Sequence, residues 1–539
     1  MHDDSPHSTD EQPPLRVLGY SDLENAYDDP ERVGAIADLI ARRRDERTLV
    51  VGGGDNTALG TLALLTDESR AQAVPFFEAV EPTADTFGNH DFDHGAAWAG
   101  EWASRVPTTY CCANVSVPDG EMDSNSDGKV DPDSDGSLDG VPDATVVERD
   151  GHRVGIVGVA HPDTADICGT VDELAFGDPV ATANDAFAEL GAVDYRIVLA
   201  HCGAEDPTVA AGVDADVVLG GHLHSRRVEL FDDTLLVRTA GGGTELVEVT
   251  LGSESAVEFH EIDPASFDPK PTPTAEADGG EHGHGHGHGS SDGRTVAESS
   301  DRNPAAASSD RNPAAASSDE PPAAASVAET YRERRAALGV DEVVAHVDDP
   351  LVRTERERFG GESRVGNFAA DAMRASADAQ LGLFPGGSVR TGDPITGAVT
   401  VDDVVSVCPF AGPVVELELD GAALRTVLAE AAYPHPGDRG WVQFHVSGGR
   451  VVWTDESELA RATVGGDPLD PDRTYRVAAP EYVVTIESFG PLHRDSVVAE
   501  HDEQWQALVA HARDGGLDVE CEGRIARVSP ENVAGGSRN

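Results

Sequence analysis

Short apolar runs alternate with amphipathic stretches through the first half of the chain. Leu15–Gly19 is an apolar run of strand length, and so is Thr48–Val51. Between them, from Arg32 to Arg43, Val33, Ile36, Ala37 and Ile40 recur at helical spacing. Arg196–Ala200 and Asp216–Leu219 read as two more buried strands. Strands alternating with helices predict an α/β layered fold.

The pattern lapses between residues 264 and 326. This stretch holds Pro271-Thr272-Pro273-Thr274, a His-Gly alternation (His282, His284, His286, His288) and the unit SSDRNPAAA twice in succession. Such a composition buries too little apolar surface to offset the entropy of ordering it, so it reads as a disordered linker. The expected organisation is a disordered N-terminus (1–14), a first domain (15–263), the linker (264–326), a second domain (327–530) and a tail (531–539). A chain of 539 residues is also too long for a single compact core.

Charge narrows the function classes. There are 99 acidic residues against 39 basic ones, a net charge of −60. That excludes holding polymeric nucleic acid on a basic surface and argues against attraction to anionic lipid. Only Lys129 and Lys270 are lysines. An acidic, lysine-poor chain suits concentrated salt, where charges are screened over a few ångströms. Six cysteines without a CxxC pair point to reduced, mostly buried thiols. The N-terminus is polar and acidic, and no apolar run reaches transmembrane length, so a cytoplasmic protein without membrane contact is expected.

An acidic insertion at about 119–141 interrupts the first domain. Asp123, Asn125, Asp127 and Gly128 are followed by Asp131, Asp133, Asp135, Gly136 and Asp139. The spacing is like that of calcium loops, but Ser134 stands where the bidentate Glu belongs. A Ca²⁺ site at 123–139 and a solvated acidic surface both remain open. The His-Gly tract can collect Zn²⁺, Ni²⁺ or Cu²⁺, or be a product of low-complexity drift.

Several short segments after expected strands end in metal-ligating residue types. They are Asp22-Leu23-Glu24, Gly52-Gly53-Gly54-Asp55, Gly88-Asn89-His90-Asp91-Phe92-Asp93, Ala200-His201-Cys202 and Gly221-His222-Leu223-His224. Strand ends place side chains on one rim of a sheet, where distant segments converge. Oxygen and imidazole donors suit two divalent ions bridged by a shared carboxylate.

These motifs, in this order, resemble the calcineurin-like metallophosphoesterases, in particular the group of 5′-nucleotidases, UDP-sugar hydrolases and 2′,3′-cyclic-nucleotide phosphodiesterases. The resemblance covers about residues 15–260 and 330–530. It implies a layered β-sandwich flanked by helices, followed by a second α/β domain that binds the nucleoside. It implies that Asp22 and His224 ligate a first metal, that Asp55 bridges, and that Asn89, His201 and His222 ligate a second. His90 and Asp93 match the catalytic pair. Where the family reads Asp-x-His, this chain has Glu24. Either Glu24 ligates, which favours Mn²⁺ over Zn²⁺ with Co²⁺ or Mg²⁺ also possible, or the first metal is held more weakly. Ligation is the reading taken.

In the second half, Arg364–Ala372 resembles the family's helix-opening LGNLIADA. Phe384–Arg390 resembles NGGGIR, with Pro385 for Asn. Cys408-Pro409-Phe410 resembles LPF, whose Phe stacks on a base, and Tyr482 falls where a second aromatic stands. Both rings are equally compatible with plain core packing. Arg390 and Arg358 are the candidate substrate-binding arginines. The family's Asn is Gly412 here, and its GGDGY motif is absent. The implied activity is release of phosphate from nucleoside monophosphates. Cyclic-nucleotide or UDP-sugar hydrolysis, another phosphomonoesterase activity, and a non-catalytic metal- or nucleotide-binding protein are the alternatives.

Overall fold

A computed structural model describes residues 14–57, 59–66, 71–117, 138, 140–168, 170–171, 173–252, 255–267, 323–432, 443–486 and 489–530. The calcium-like loop, the His-Gly tract and nearly all of the expected linker lie outside the described residues.

Two six-stranded sheets form the first layer pair. In one, Leu15–Tyr20, Thr48–Gly52, Ala84–Asp85 and Thr109–Tyr110 run parallel, with Glu245–Leu251 and Ala256–Glu261 antiparallel beyond Leu15–Tyr20. In the other, His152–Ala160, Tyr195–His201, Val217–Gly220 and Thr234–Arg238 run parallel between two antiparallel edge strands. Val17, Leu49 and Val51 face Ile156, Ile197, Leu199 and Leu219 in the core between the sheets. Helix Pro30–Arg43 covers the outer side with Val33, Ile36, Ala37 and Ile40, and Asp29 caps it by accepting from the Arg32 N–H at 3.0 Å. The strand and helix spans expected from the apolar pattern match these elements to within two residues.

The later part of the chain folds on a five-stranded sheet and a four-stranded sheet. Helix Arg364–Ser376 buries Val365, Phe368, Ala369, Ala372 and Met373 in that core, and the Ser363 hydroxyl caps it. Helix Ala323–Leu338 begins inside the span read as linker. It packs on the first layer pair, although residues from 327 onward are expected in the second domain. Val327, Ala328 and Tyr331 join the first core, and the Tyr331 ring stacks on Tyr27 at 5.7 Å. Arg335 on the same helix donates to the Asp28 carbonyl and to Asp402 Oδ2 (2.8 Å), tying the two halves together. All six cysteines are free, and four of them are buried. Among the described residues no helix is long and apolar enough to cross a membrane.

Candidate dimetal site and the cleft beside it

Parallel strands deliver their carboxyl ends to one rim, which is why segments far apart in sequence meet there. Asp22, Asp55 and His222 follow three strand ends, and His201 closes a fourth. Asp22 (φ 53°), Glu24 (φ 42°), Asp55 (φ 53°) and His222 (φ 71°) all hold left-handed backbone. Such strain persists where the surroundings over-determine it, typically at a working site. Gly54 and Gly88 make the crowding possible. A Cβ on Gly54 would sit 2.7 Å from His201 Nδ1, and one on Gly88 would sit 2.0 Å from Asp55 Oδ1.

Three overlapping groups place ligand atoms within 4.8 Å of one another: Asp55, His201 and His222; Asp22, Glu24 and His224; Glu24, Asp55 and His90. Asn89 Oδ1 lies 2.7 Å from His222 Nδ1. All seven expected ligands and the His90–Asp93 pair (2.9 Å) therefore belong to one cluster.

The chemistry of this donor set fits divalent cations. His201 Nδ1 lies 2.8 Å from the Gly53 carbonyl and so carries the proton that bond needs. Its Nε2 is buried 2.9 Å from Asp55 Oδ2 and has no aligned hydrogen-bond partner. Asp22 Oδ2 is likewise buried without a hydrogen-bond partner. Carboxylates and imidazoles converging out of contact with water need positive charge among them, as protons or as a bound cation.

The protonation tendencies without metal agree. Burial opposes the charged imidazolium of His201, but Asp55 and Asp22 outweigh it and push the ring up to about 10. For His224, burial is outweighed by Asp22 and Glu24, again to about 10. For His90 it is outweighed by Asp93, then Asp55 and Glu24, to about 9. His222 is pushed down to about 4 by burial and by His201. Burial would raise the Glu24 carboxyl, but Arg390 and His224 hold it down at about 2.

A cleft of about 500 Å³ opens beside the cluster. One wall carries Asn89, His90, Asp93 and His222, and the other carries Arg358, Arg390, Phe410 and Tyr482. Arg390 sits over the Phe410 ring at 5.9 Å, and Phe410 lies 6.2 Å from the His90 ring. Arg390 Nη2 also reaches Glu24 Oε2 at 3.0 Å. Arg358 spends its guanidinium on the Gly386 and Gly387 carbonyls (3.3 and 3.0 Å) and on Glu355, which fixes the glycine turn leading to Arg390.

Several supporting residues escape a sequence reading. Asp91 accepts from the Asp55, Gly88 and Thr57 N–H groups at 2.9, 2.8 and 3.1 Å. Its place between His90 and Asp93 was the available signal. Asp85 accepts from the Gly54 N–H and the Asn56 amide, and burial, with Asp91 adding to it, pushes its carboxyl up to about 8. Arg238 donates to Asp206 (2.8 Å) and the Gly203 carbonyl, fixing the loop after His201. The His161 ring stacks on His222 at 5.7 Å. Gln504 donates to the Phe410 and Ala411 carbonyls at 3.0 Å each and so sets the Phe410 loop.

Residues 343–487 match the family model described as "5′-nucleotidase, C-terminal domain". An apyrase of Aedes albopictus is 31% identical over 202 residues, 35% of this chain and 32% of that protein. The matched stretches span about a third or less of the first curated relatives. A solved 5′-nucleotidase precursor from Thermus thermophilus aligns over 96% of this chain and 99% of its own, with TM-score 0.69 and 22% identity. A sulfate thiohydrolase from the same organism aligns over 100% and 98%, with TM-score 0.63 and 16% identity. Residues 343–487 thus match a 5′-nucleotidase C-terminal domain, and the chain shares the two-domain α/β fold of the solved 5′-nucleotidase precursor.

Proposed function

We propose that the protein is a metal-dependent phosphoric ester hydrolase, and specifically a 5′-nucleotidase that releases phosphate from nucleoside monophosphates. One observation carries the reading: a single cleft joins the donor cluster to an arginine and two aromatic rings from the other half of the chain. Asp22, Glu24 and His224 would hold one divalent ion, and Asn89, His201 and His222 a second, with Asp55 shared. When bound, the ions supply Lewis acidity and a water ionised near neutral pH.

The residues of the chain divide the remaining work. Arg390 meets the phosphoryl group with a fork of N–H donors once it leaves Glu24. His90 is held protonated by Asp93 and stabilises charge on the phosphoryl oxygens or protonates the leaving oxygen. Phe410 and Tyr482 offer apolar faces to the organic group, and the cleft walls exclude water from it. Net negative charge does not bar an anionic substrate, because the local field at the cleft is set by bound cations and Arg390.

The test is phosphate release from AMP, GMP, UMP, 3′-AMP, 2′,3′-cyclic AMP, a UDP-sugar and bis(p-nitrophenyl) phosphate. It is run in molar KCl on stripped protein given Mn²⁺, Co²⁺, Zn²⁺ or Mg²⁺. Preference for 5′-monophosphates is expected. Turnover confined to diesters would replace the nucleotidase by a phosphodiesterase, and no turnover with any metal would leave a binding protein.

A further inference from the structure

A second cleft, of about 470 Å³, lies in the later half of the chain and shares no lining residue with the first. Its walls come from the end of helix Arg364–Ser376, the turn before strand Gly449–Thr454, the turn after Leu459–Val464, and the segment before Ile525–Val528. Three arginines, Arg374, Arg450 and Arg524, face it together with His511 and two carboxylates, Asp371 and Glu522.

The three are not equally engaged. Arg524 gives both Nη groups to the Asp371 carboxylate, at 2.7 and 3.0 Å. Arg374 uses only Nε, toward the Ser447 hydroxyl at 2.7 Å, and pairs with no carboxylate among the described residues. Arg450 is exposed and makes neither an ion pair nor a side-chain hydrogen bond among them. Arg374 and Arg450 therefore keep guanidinium N–H groups unspent on a cleft whose carboxylates, Asp371 and Glu522, both lie beside Arg524. Gly448 makes room for one of them, since a Cβ there would meet Arg374 Cδ at 2.9 Å. The hydroxyl that orients Arg374 is itself fixed, because Ser447 donates to Asp371.

We propose that this cleft binds a phosphate-bearing small molecule, gripped by Arg374 and Arg450 and backed by Arg524. Two guanidinium forks with free N–H groups match the several oxygens of a phosphoryl group better than the two of a lone carboxylate. The phosphate can be free or carried on an organic group. In about 1 M salt the Debye length is near 3 Å, so attraction acts only at contact and recognition rests on these hydrogen bonds. The site does not depend on the reading of the first cleft.

The experiment titrates the full chain with inorganic phosphate and with phenylphosphonate, which is not hydrolysed, at constant ionic strength in molar KCl. Ligand-linked thermal stabilisation is followed. Wild type, Arg390→Ala and Arg374→Ala/Arg450→Ala are compared. The stabilisation is expected to persist in Arg390→Ala and to weaken at least about ten-fold in apparent affinity in the double variant, whose turnover on AMP stays within two-fold of wild type. Response to both probes assigns free phosphate as sufficient, and response to phenylphosphonate alone assigns an organic phosphate. Unchanged titrations in the double variant overturn the proposal. Arg450→Ala, which alters one exposed side chain, gives the same comparison if the double variant does not fold.

Discussion

Arg390 and Glu24, 366 residues apart, meet at 3.0 Å across the cleft, and Glu24 at the same time lies 3.2 Å from His224 Nε2. One buried carboxylate therefore serves both the donor cluster and the arginine that lines the cleft beside it. A neutral imidazole at this position would attract neither a cationic arginine nor a hard divalent ion as strongly.

Replacing Glu24 by Gln keeps the shape and removes the charge. The Mn²⁺ concentration for half-maximal activity is expected to rise at least about ten-fold, the lower end of what losing a group that merely supports a ligand costs. Glu24→His is expected to shift the preference from Mn²⁺ toward Zn²⁺. Metal titrations of both variants decide this, and unchanged half-saturation in Glu24→Gln would remove Glu24 from the ligand set.

Metal uptake is coupled to protons. Without metal, His201 and His224 stay protonated up to about pH 10, whereas His222, held down at about 4, is already neutral. Ligation requires neutral imidazoles. Filling both sites at pH 8 is expected to release close to two protons, one from each raised histidine, and His224→Gln is expected to release one fewer. Calorimetry in buffers of different ionisation enthalpy counts them.

The same shifts set a pH dependence of stability for metal-stripped protein. An imidazole has its charge change near pH 6.5 when unfolded, and folding raises His90, His201 and His224 to about 9–10. Groups raised on folding contribute stability that is full below about 6.5 and is lost as pH rises through the folded values. The melting temperature of stripped protein is expected to fall between about pH 6.5 and 10. A rise over that window would mean the three rings are neutral in the folded state.

His90→Asn is expected to lower kcat by about 10²–10⁴-fold, the usual scale of general acid–base catalysis, while bound metal measured by atomic emission is unchanged. Asp93→Asn removes the largest group raising His90. The alkaline limb of its rate profile is expected to move to lower pH.

Much of the donor cluster was legible because most of the expected ligands follow an apolar run within a few residues, as Gly52–Asp55 follows Thr48–Val51, while Asn89 was legible from the Gly88–Asp93 motif. Local order along a strand is visible in sequence, and the parallel arrangement then gathers the ends. What depends on long-range pairing was not. Nothing near Arg390 announces Glu24, and nothing near Asp206 announces Arg238, buried with it at 2.8 Å. Helix Ala323–Leu338 was obscured for another reason. Its Ala-rich start continues the composition of the repeats before it, and its anchoring comes from Tyr331, whose hydroxyl donates to the Gln72 carbonyl at 2.6 Å.

Phe410 separates recognition of the organic group from chemistry. Its ring lies between Arg390 and His90, with the backbone carbonyl held by Gln504, so the side chain is presented on a fixed loop. A base stacked on such a ring gains about 1–3 kcal/mol. Phe410→Ala is therefore expected to raise KM for AMP by about 5- to 150-fold with kcat little changed. Glycerol 3-phosphate has no ring to stack and is expected to lose nothing. Gln504→Ala, which frees the loop but leaves the ring, is expected to fall between wild type and Phe410→Ala. Equal losses on AMP and glycerol 3-phosphate would instead make Phe410 a core aromatic that shapes the cleft without contacting a base.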